Sequence, residues 1–540
     1  MKSLLLAAAL TLLSGQTAIA QTNQNLESLC KFWGFLKYYH PTVAEGKLDW
    51  DAELMKRIEP VRTAPDKATL NKIYLNWLNE LGEVPACRKC DKTNDKWFEK
   101  NFDLAWTDDA ATFSPEVISR LNYIEQNRFQ GVNHYDTFYP YVGNVNITNE
   151  INRDSSDYPA VELRLLALFR YWNIVNYFFP YKYQCDPGWE TVLSTMIPKF
   201  INAADATQYH LALLEMVAGI QDTHANLVTD VLMVYHGEYN PPARFKFVEG
   251  KLTVTDVWSD SLAELDRWYR GDVVIAKNGV PVDTIFERFL PYLPASNMEG
   301  KRRNAVLFLL RSHEETAEYT VVRDGKSIVK TARGYSNRVL FPHLGTKNKE
   351  SSTVKAWDIL DGNIGYLFLG RLKVDDVDEA MKALNKCKGI VIDLRSGAQS
   401  TMYALAEHLH ASPTPFARII VPDFDYPGKF IWVDRSECGK KNKKPYNGKV
   451  VLLVNEYTQS HGEYTAMCLQ SVPGVVTVGS QTAGADGNVS RFEIAGGYKT
   501  QISGIGIFYP DGTETQRVGV RIDVPVAPTL GGVRARKDEV

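Results

Sequence analysis

The sequence has almost no excess of charge. Its 540 residues carry 61 Lys+Arg against 64 Asp+Glu, a formal net charge of −3. A chain that grips nucleic acid shows a basic surplus, so no nucleic-acid partner is expected. Long apolar runs are missing after the N-terminus, so no stable membrane insertion is expected. Metal-ligand patterns are scarce as well. Cys87-Arg88-Lys89-Cys90 is a lone C-x-x-C, without the second pair or histidine cluster of a zinc site. A local disulfide or two structural thiols is the simpler reading, and no metal or cofactor is implied. Cys468 lies in an apolar run and reads as core. Apolar substance is plentiful: 44% of the residues are hydrophobic and 11% aromatic, enough for several cores.

The opening "MKSLLLAAALTLLSGQTAIAQ" pairs Lys2 with an apolar run from Leu4 to Leu13 and the small-x-small site Ala18-Ile19-Ala20. This is the pattern of a secretory signal peptide over residues 1–20, and a periplasmic or secreted location is expected.

The N-terminal half contains a repeat. "FWGFLKYYHPTVAEGKLDWDAEL" from Phe32 and "YWNIVNYFFPYKYQCDPGWETVL" from Tyr171 share spacing. Trp33, Tyr38, Pro41, Trp50 and Leu54 correspond to Trp172, Tyr177, Pro180, Trp189 and Leu193. Aromatics recur at helical intervals, a proline stops the helix, and a Trp-acid pair opens the next. The pattern predicts two helical subdomains at 21–110 and 161–238, with their aromatic stripes as core, joined by a linker or irregular segment at 111–160. Only the second copy ends in Asp222-Thr223-His224.

From Ala243 the pattern turns β-rich, with Glu249-Gly250, Asn278-Gly279 and Asp324-Gly325 as tight turns. The order "RGDVVIAKNGVPVDTIFERF" resembles a PDZ domain, here spanning 239–338. Such domains hold peptide chain ends by strand addition, with a glycine-rich loop on the carboxylate. Arg244 to Phe247 stand where that loop is expected and include no glycine. Peptide capture and a packing or gating role both remain open.

From 339 to 540, "IGYLFLG", "GIVIDLR", "GKVVLLVNE" and "GVVTVGS" alternate with helical segments such as "DEAMKALNKC" and "YALAEHLH". This predicts an α/β domain with a mostly parallel sheet, whose chemistry gathers at the carboxyl ends of its strands. The whole is expected as a multidomain α+β and α/β chain. Ser460 stands between the strand "VVLLVNE" and the helix "GEYTAMCLQ". A serine there is either a helix N-cap or a nucleophile beside backbone N–H groups. The G-x-S-x-G elbow of ordinary α/β-hydrolases is absent.

Taken in order, "GIVIDLR", "VLLVNEYTQSHGEYTAMCLQ", "VGSQTAGADG" and "YPDGTETQRVGVRIDV" resemble the core of the tail-specific, or C-terminal processing, serine peptidases. The resemblance implies helical segment, PDZ domain and crotonase-like α/β core, with Ser460 as nucleophile and a peptide or unfolded protein as substrate. One branch of that family takes a lysine base from a "T-x-G-K-G"-like motif. Here the motif reads Thr482-Ala483-Gly484-Ala485-Asp486-Gly487, with no lysine. The chain is closer to the branch that resembles the tricorn core, which takes a histidine from the end of the helical segment. His224 occupies that place, with Thr223 where a hydroxyl residue assists the base. A glutamate near the chain end supports the histidine in that branch. Strict spacing to Gly519-Val520 gives Gln516, and Glu514 lies two residues earlier, so both remain candidates. For the oxyanion the backbone amides of Gln399 and His461 are the candidates, although the family's glycine pair is missing at Gln399-Ser400. Arg395 reads as an anchor of the strand end. Two expectations follow: an exported serine endopeptidase, or a catalytically degenerate peptide-binding protein on the same frame.

Overall fold

The computed structural model describes residues 2–90, 93–342 and 355–540. Side chains of the expected signal peptide, up to residue 19, lie outside the described residues, as do residues 343–354 early in the expected core. The chain divides into two compact units. The first comprises residues up to Ile220 together with 420–433 and 488–505; the second holds 221–419, 434–487 and 506–540.

The first unit is mainly helical, and its repeat is realised bond for bond. In the first copy the Trp33 indole N–H donates to the Trp50 carbonyl and the Trp50 indole to the Trp33 carbonyl, both at 3.1 Å. In the second copy Trp172 and Trp189 exchange the same pair of bonds at 3.1 and 3.0 Å. All four rings are buried, so each indole N–H needs an acceptor, which the partner tryptophan of the same copy supplies. The helices that follow, Lys67–Leu81 and Ala206–Ala218, begin at Asp66 and Asp205, whose carboxylates cap the third residue on.

Residues 111–160 are more ordered than the expected linker. Ser114 caps the helix Pro115–Gln126, which buries Val117, Leu121 and Ile124 on one face. The strands Asp136–Phe138 and Val145–Ile147 then pair antiparallel. Cys87 and Cys90 form a disulfide.

Two sheets lie wholly within the second unit. The first of them runs Ala243–Val248, Lys251–Val257, Val273–Lys277, Thr316–Arg323 and Lys326–Arg333, in that order, with the short strand Val280–Pro281 paired to Val273–Lys277, antiparallel throughout. The three expected turns carry positive φ at both central residues: 49° and 72° at Glu249-Gly250, 47° and 74° at Asn278-Gly279, 49° and 76° at Asp324-Gly325. This mirror-image turn matches the twist of the flanking strands. Trp268, Val254, Tyr319 and Val321 fill the core beneath.

The second sheet orders Trp357–Leu360, Ile364–Phe368, Gly389–Asp393, Lys449–Val454, Val476–Gly479 and Val524–Pro525. All its pairings are parallel except that of the first strand. Its central strands are almost continuously apolar, as a sheet covered on both faces requires. Ser460, His224 and the other candidate residues all belong to this second unit.

Candidate active site

The strand Lys449–Val454 ends at a tight turn. The Thr458 hydroxyl accepts the Asn455 N–H at 3.2 Å and donates to the Leu394 carbonyl at 3.2 Å, pinning the turn to the neighbouring strand end. Ser460 follows with φ 57° and ψ −122°, and the helix His461–Gln470 begins at the next residue. That backbone region is dominated by glycine in other turns. Here three bonds hold the serine in it. Its N–H is shared between the Ala485 carbonyl at 2.9 Å and the Glu463 carboxylate at 3.3 Å. Its hydroxyl makes a long contact, 3.4 Å, to the Gly487 carbonyl.

Glu463 is fully buried beneath this turn. One carboxylate oxygen accepts from the Thr482 hydroxyl at 2.5 Å and the Gly484 N–H at 2.8 Å. The other accepts from the Ala485 N–H at 3.0 Å as well as from Ser460. Burial pushes its pKa up, and these four donors oppose the shift. The residue thus ties the serine to the loop 482–487. It was legible as Ser460-x-x-Glu463, the spacing at which an N3 glutamate reaches back to an N-cap N–H. The sequence reading used the serine and passed over the glutamate.

The same loop carries the other half of the site. Thr223, beside His224, donates its hydroxyl to the Ala483 carbonyl at 2.8 Å. It also exchanges bonds with Ser296: the Ser296 N–H reaches the Thr223 hydroxyl at 2.8 Å, and the Thr223 N–H reaches the Ser296 hydroxyl at 2.9 Å. The Thr223 carbonyl accepts from the Gln459 side chain at 3.3 Å. The residues preceding His224 and Ser460 are therefore bonded to each other. His224 and Asp222 are both buried. Asp222 accepts the His224 N–H at 3.1 Å and lies 3.8 Å from its Nδ1.

Gln516 is buried, and its side-chain amide reaches the Ser296 hydroxyl at 3.5 Å, one bond removed from Thr223. Glu514 is half-buried and forms a β-bridge with Phe508. Gly484 has φ 64°, and a Cβ there would meet the Arg517 backbone at 2.8 Å, so this close crossing admits only glycine without a shift.

The two oxyanion candidates differ. His461 is the first residue of its helix, where a backbone N–H has no intrahelical acceptor. Its ring turns away to donate to the Gln399 carbonyl at 3.3 Å. The Gln399 N–H is engaged, donating to the Leu369 carbonyl at 3.1 Å. Arg395 forks onto Asp393 at 3.0 and 2.7 Å and onto Asp538 at 2.9 Å, fixing the strand end.

Residues 363–526 match the profile of peptidase family S41. No curated protein matches the chain. Among solved structures, mature CPAF complexed with lactacystin is similar with a TM-score of 0.54 at 12% identity, over 69% of this chain and 96% of that one. A putative peptidase from Parabacteroides merdae gives 0.43 at 14%, over 71% and 94%. The photosystem II D1 C-terminal processing protease gives 0.39 at 16%, over 68% and 93%. Residues 363–526 thus match peptidase family S41, and the match supports a serine-type peptidase.

Proposed function

We propose that this chain is an exported serine endopeptidase that cleaves peptides or unfolded, chain-terminal protein segments through an acyl-enzyme. In this reading Ser460 Oγ attacks the scissile carbonyl and His224 takes its proton. The His461 N–H, at the helix start, stabilises the oxyanion. His224 then returns the proton to the leaving amine, and water repeats the sequence on the ester. Asp222 sets the imidazole's orientation, and Gln516 acts at one remove, through Ser296 and Thr223. Among the described residues no helix is long and apolar enough to cross a membrane. We read the six-stranded antiparallel sheet as PDZ-like and the mostly parallel sheet as crotonase-like.

The observation that carries the proposal is the bond from Gln459 to the Thr223 carbonyl at 3.3 Å, which brings the flanks of Ser460 and His224 together within one unit. A fluorophosphonate probe is expected to label the wild type at Ser460 and to spare Ser460→Ala. His224→Ala is expected to lose casein hydrolysis by at least about a hundredfold, the scale of general-base loss. An unlabelled, folded wild type would sink the nucleophile assignment, and an active His224→Ala the base.

The second reading, a peptide-binding protein without catalysis, is favoured by one observation. With the Gln399 N–H committed to Leu369, only one of the two expected oxyanion amides is open. The labelling experiment decides between the two.

A further inference from the structure

The dipeptide Ser296-Asn297 makes and breaks no bond in the chemistry above, yet within the second unit it touches both halves of the site. It stands immediately before the helix Met298–Ala305. Ser296 is buried and holds the side of the base. Its N–H and hydroxyl exchange bonds with Thr223, the residue before His224, at 2.8 and 2.9 Å. The Thr223 hydroxyl gives its one proton to the Ala483 carbonyl and accepts from Ser296, so no proton is left for the imidazole. What Thr223 does for His224 is to fix where its backbone stands.

Asn297 holds the side of the serine. Its side-chain nitrogen donates to the Thr482 carbonyl at 2.8 Å and to the Arg517 carbonyl at 3.1 Å. Its side-chain oxygen accepts the Gly300 N–H at 2.8 Å and caps the helix Met298–Ala305. Two carbonyls at one end and an N–H at the other admit a single orientation of this amide. The Thr482 hydroxyl donates to Glu463, whose other oxygen accepts the Ser460 N–H. Arg517 donates its N–H to the Gly484 carbonyl at 2.8 Å. The two carbonyls that Asn297 reaches thus belong to the two segments that cross at Gly484. Capping accounts for half of these contacts. Aspartate or serine caps a helix as well as asparagine does. Of the three, only the amide also carries two donors to spend on carbonyls.

We infer that Asn297 is a positioning residue. It clips the loop 482–487, which supports Ser460, to the Ser296 segment, which holds the residue before His224, and so sets the geometry between serine and base. The inference rests on the peptidase reading for what that geometry serves, and one arm of its test needs no catalysis.

Asn297→Asp keeps a cap for Gly300 and replaces both donations by repulsion between a carboxylate and two carbonyls. Asn297→Ala loses cap and clip together. The full-length variants are compared with the wild type by hydrogen exchange and by the rate of fluorophosphonate labelling. In Asn297→Asp the Gly484 and Ala485 amides, which Glu463 holds, are expected to exchange at least about tenfold faster, the scale of a lost hydrogen-bonded tether. The Gly300 amide, still capped, is expected to keep its wild-type rate. Labelling of Ser460 is expected to slow at least about tenfold in both variants, with kcat on casein falling and KM little changed, as misplacement of a reacting pair demands. A residue that only caps gives another pattern, with Asn297→Asp like the wild type and Asn297→Ala impaired, and that pattern overturns the inference. So does unchanged exchange at Gly484 and Ala485 in Asn297→Asp, or wild-type labelling there despite faster exchange. If Asn297→Asp does not fold, Asn297→Ser, which caps but cannot span both carbonyls, is judged by the same criteria. A folded wild type that never labels removes the peptidase reading, and the exchange rates then decide the clip by themselves.

Discussion

Ser460 occupies a backbone conformation, φ 57° and ψ −122°, that a Cβ makes costly. Such outliers are worth about 1–3 kcal/mol and persist where the surroundings over-determine them. The surroundings here are the Ala485 carbonyl and the Glu463 carboxylate on its N–H. Ser460→Gly removes the Cβ and loses the long hydroxyl contact to Gly487 and the side chain's half of the capping box with Glu463. It is expected to raise stability by about 1 kcal/mol in urea denaturation while abolishing fluorophosphonate labelling. A less stable glycine variant would mean the hydroxyl contributes more than the strain costs. Beside this turn lies a second buried acid. Asp486 accepts the Gly487 N–H at 2.7 Å, and its other oxygen is buried without a hydrogen-bond partner. Burial first, then the Glu463 charge, raises its pKa well above the usual carboxylate range. Glu463 has donors for both oxygens and Asp486 does not, so Asp486 is the one that keeps its proton. The folded state then binds a proton that the unfolded chain releases near pH 4, and this group's contribution to stability falls as pH rises above that. Asp486→Asn is expected to gain stability relative to wild type steadily from pH 5 to pH 8. A pH-independent difference would show that Asp486 is already ionised in the fold. Ser460 stands out in the sequence through the resemblance of the segments around it, since a serine between a strand and a helix also reads as an ordinary N-cap. The engaged Gln399 N–H is not legible in the same way, because its acceptor, Leu369, lies thirty residues away in sequence, just past another strand's end.

At the scale of elements, legibility followed periodicity and turn chemistry. The three Gly-containing turns require positive φ at two successive positions, and Asn-Gly, Asp-Gly and Glu-Gly announce it. Strands such as Gly389–Asp393 and Lys449–Val454 are short β-branched runs that sit in the middle of a parallel sheet, where no polar face interrupts the pattern. The repeat was visible because each Trp pair recurs at equal spacing. The reciprocal indole–carbonyl bonds explain that spacing: an indole N–H buried between two helices must find a carbonyl on the other helix, and a one-residue shift would turn it away. Residues 111–160 were hidden for the opposite reason. Their helix Pro115–Gln126 buries only a narrow stripe, and their two strands are three residues each, too short for alternation to register.

At the scale of the molecule, sequence order does not follow the compact units. The first unit is closed by two segments, 420–433 and 488–505, that lie within the residues matched to family S41. Phe430, Ile494 and Ile502 of those segments are buried. The Phe492 ring packs 5.9 Å from Tyr171, and Asn144 donates to the Val489 carbonyl at 3.0 Å. A fragment 221–540 would keep every candidate catalytic residue and the whole family match. It would also strip both segments of the residues before 221 that they pack against in the first unit, such as Tyr171 beside Phe492. Exposed apolar strands of this kind are aggregation sites. The fragment is therefore expected to elute as soluble aggregate in size exclusion and to resist fluorophosphonate labelling. Co-expression with 21–220 is expected to restore both a discrete species and labelling at Ser460. A monomeric, labelled 221–540 fragment would show that the helical repeats serve something other than the fold of the serine's own chain segment. Aggregation that 21–220 relieves would give those repeats a structural task that no motif in them discloses.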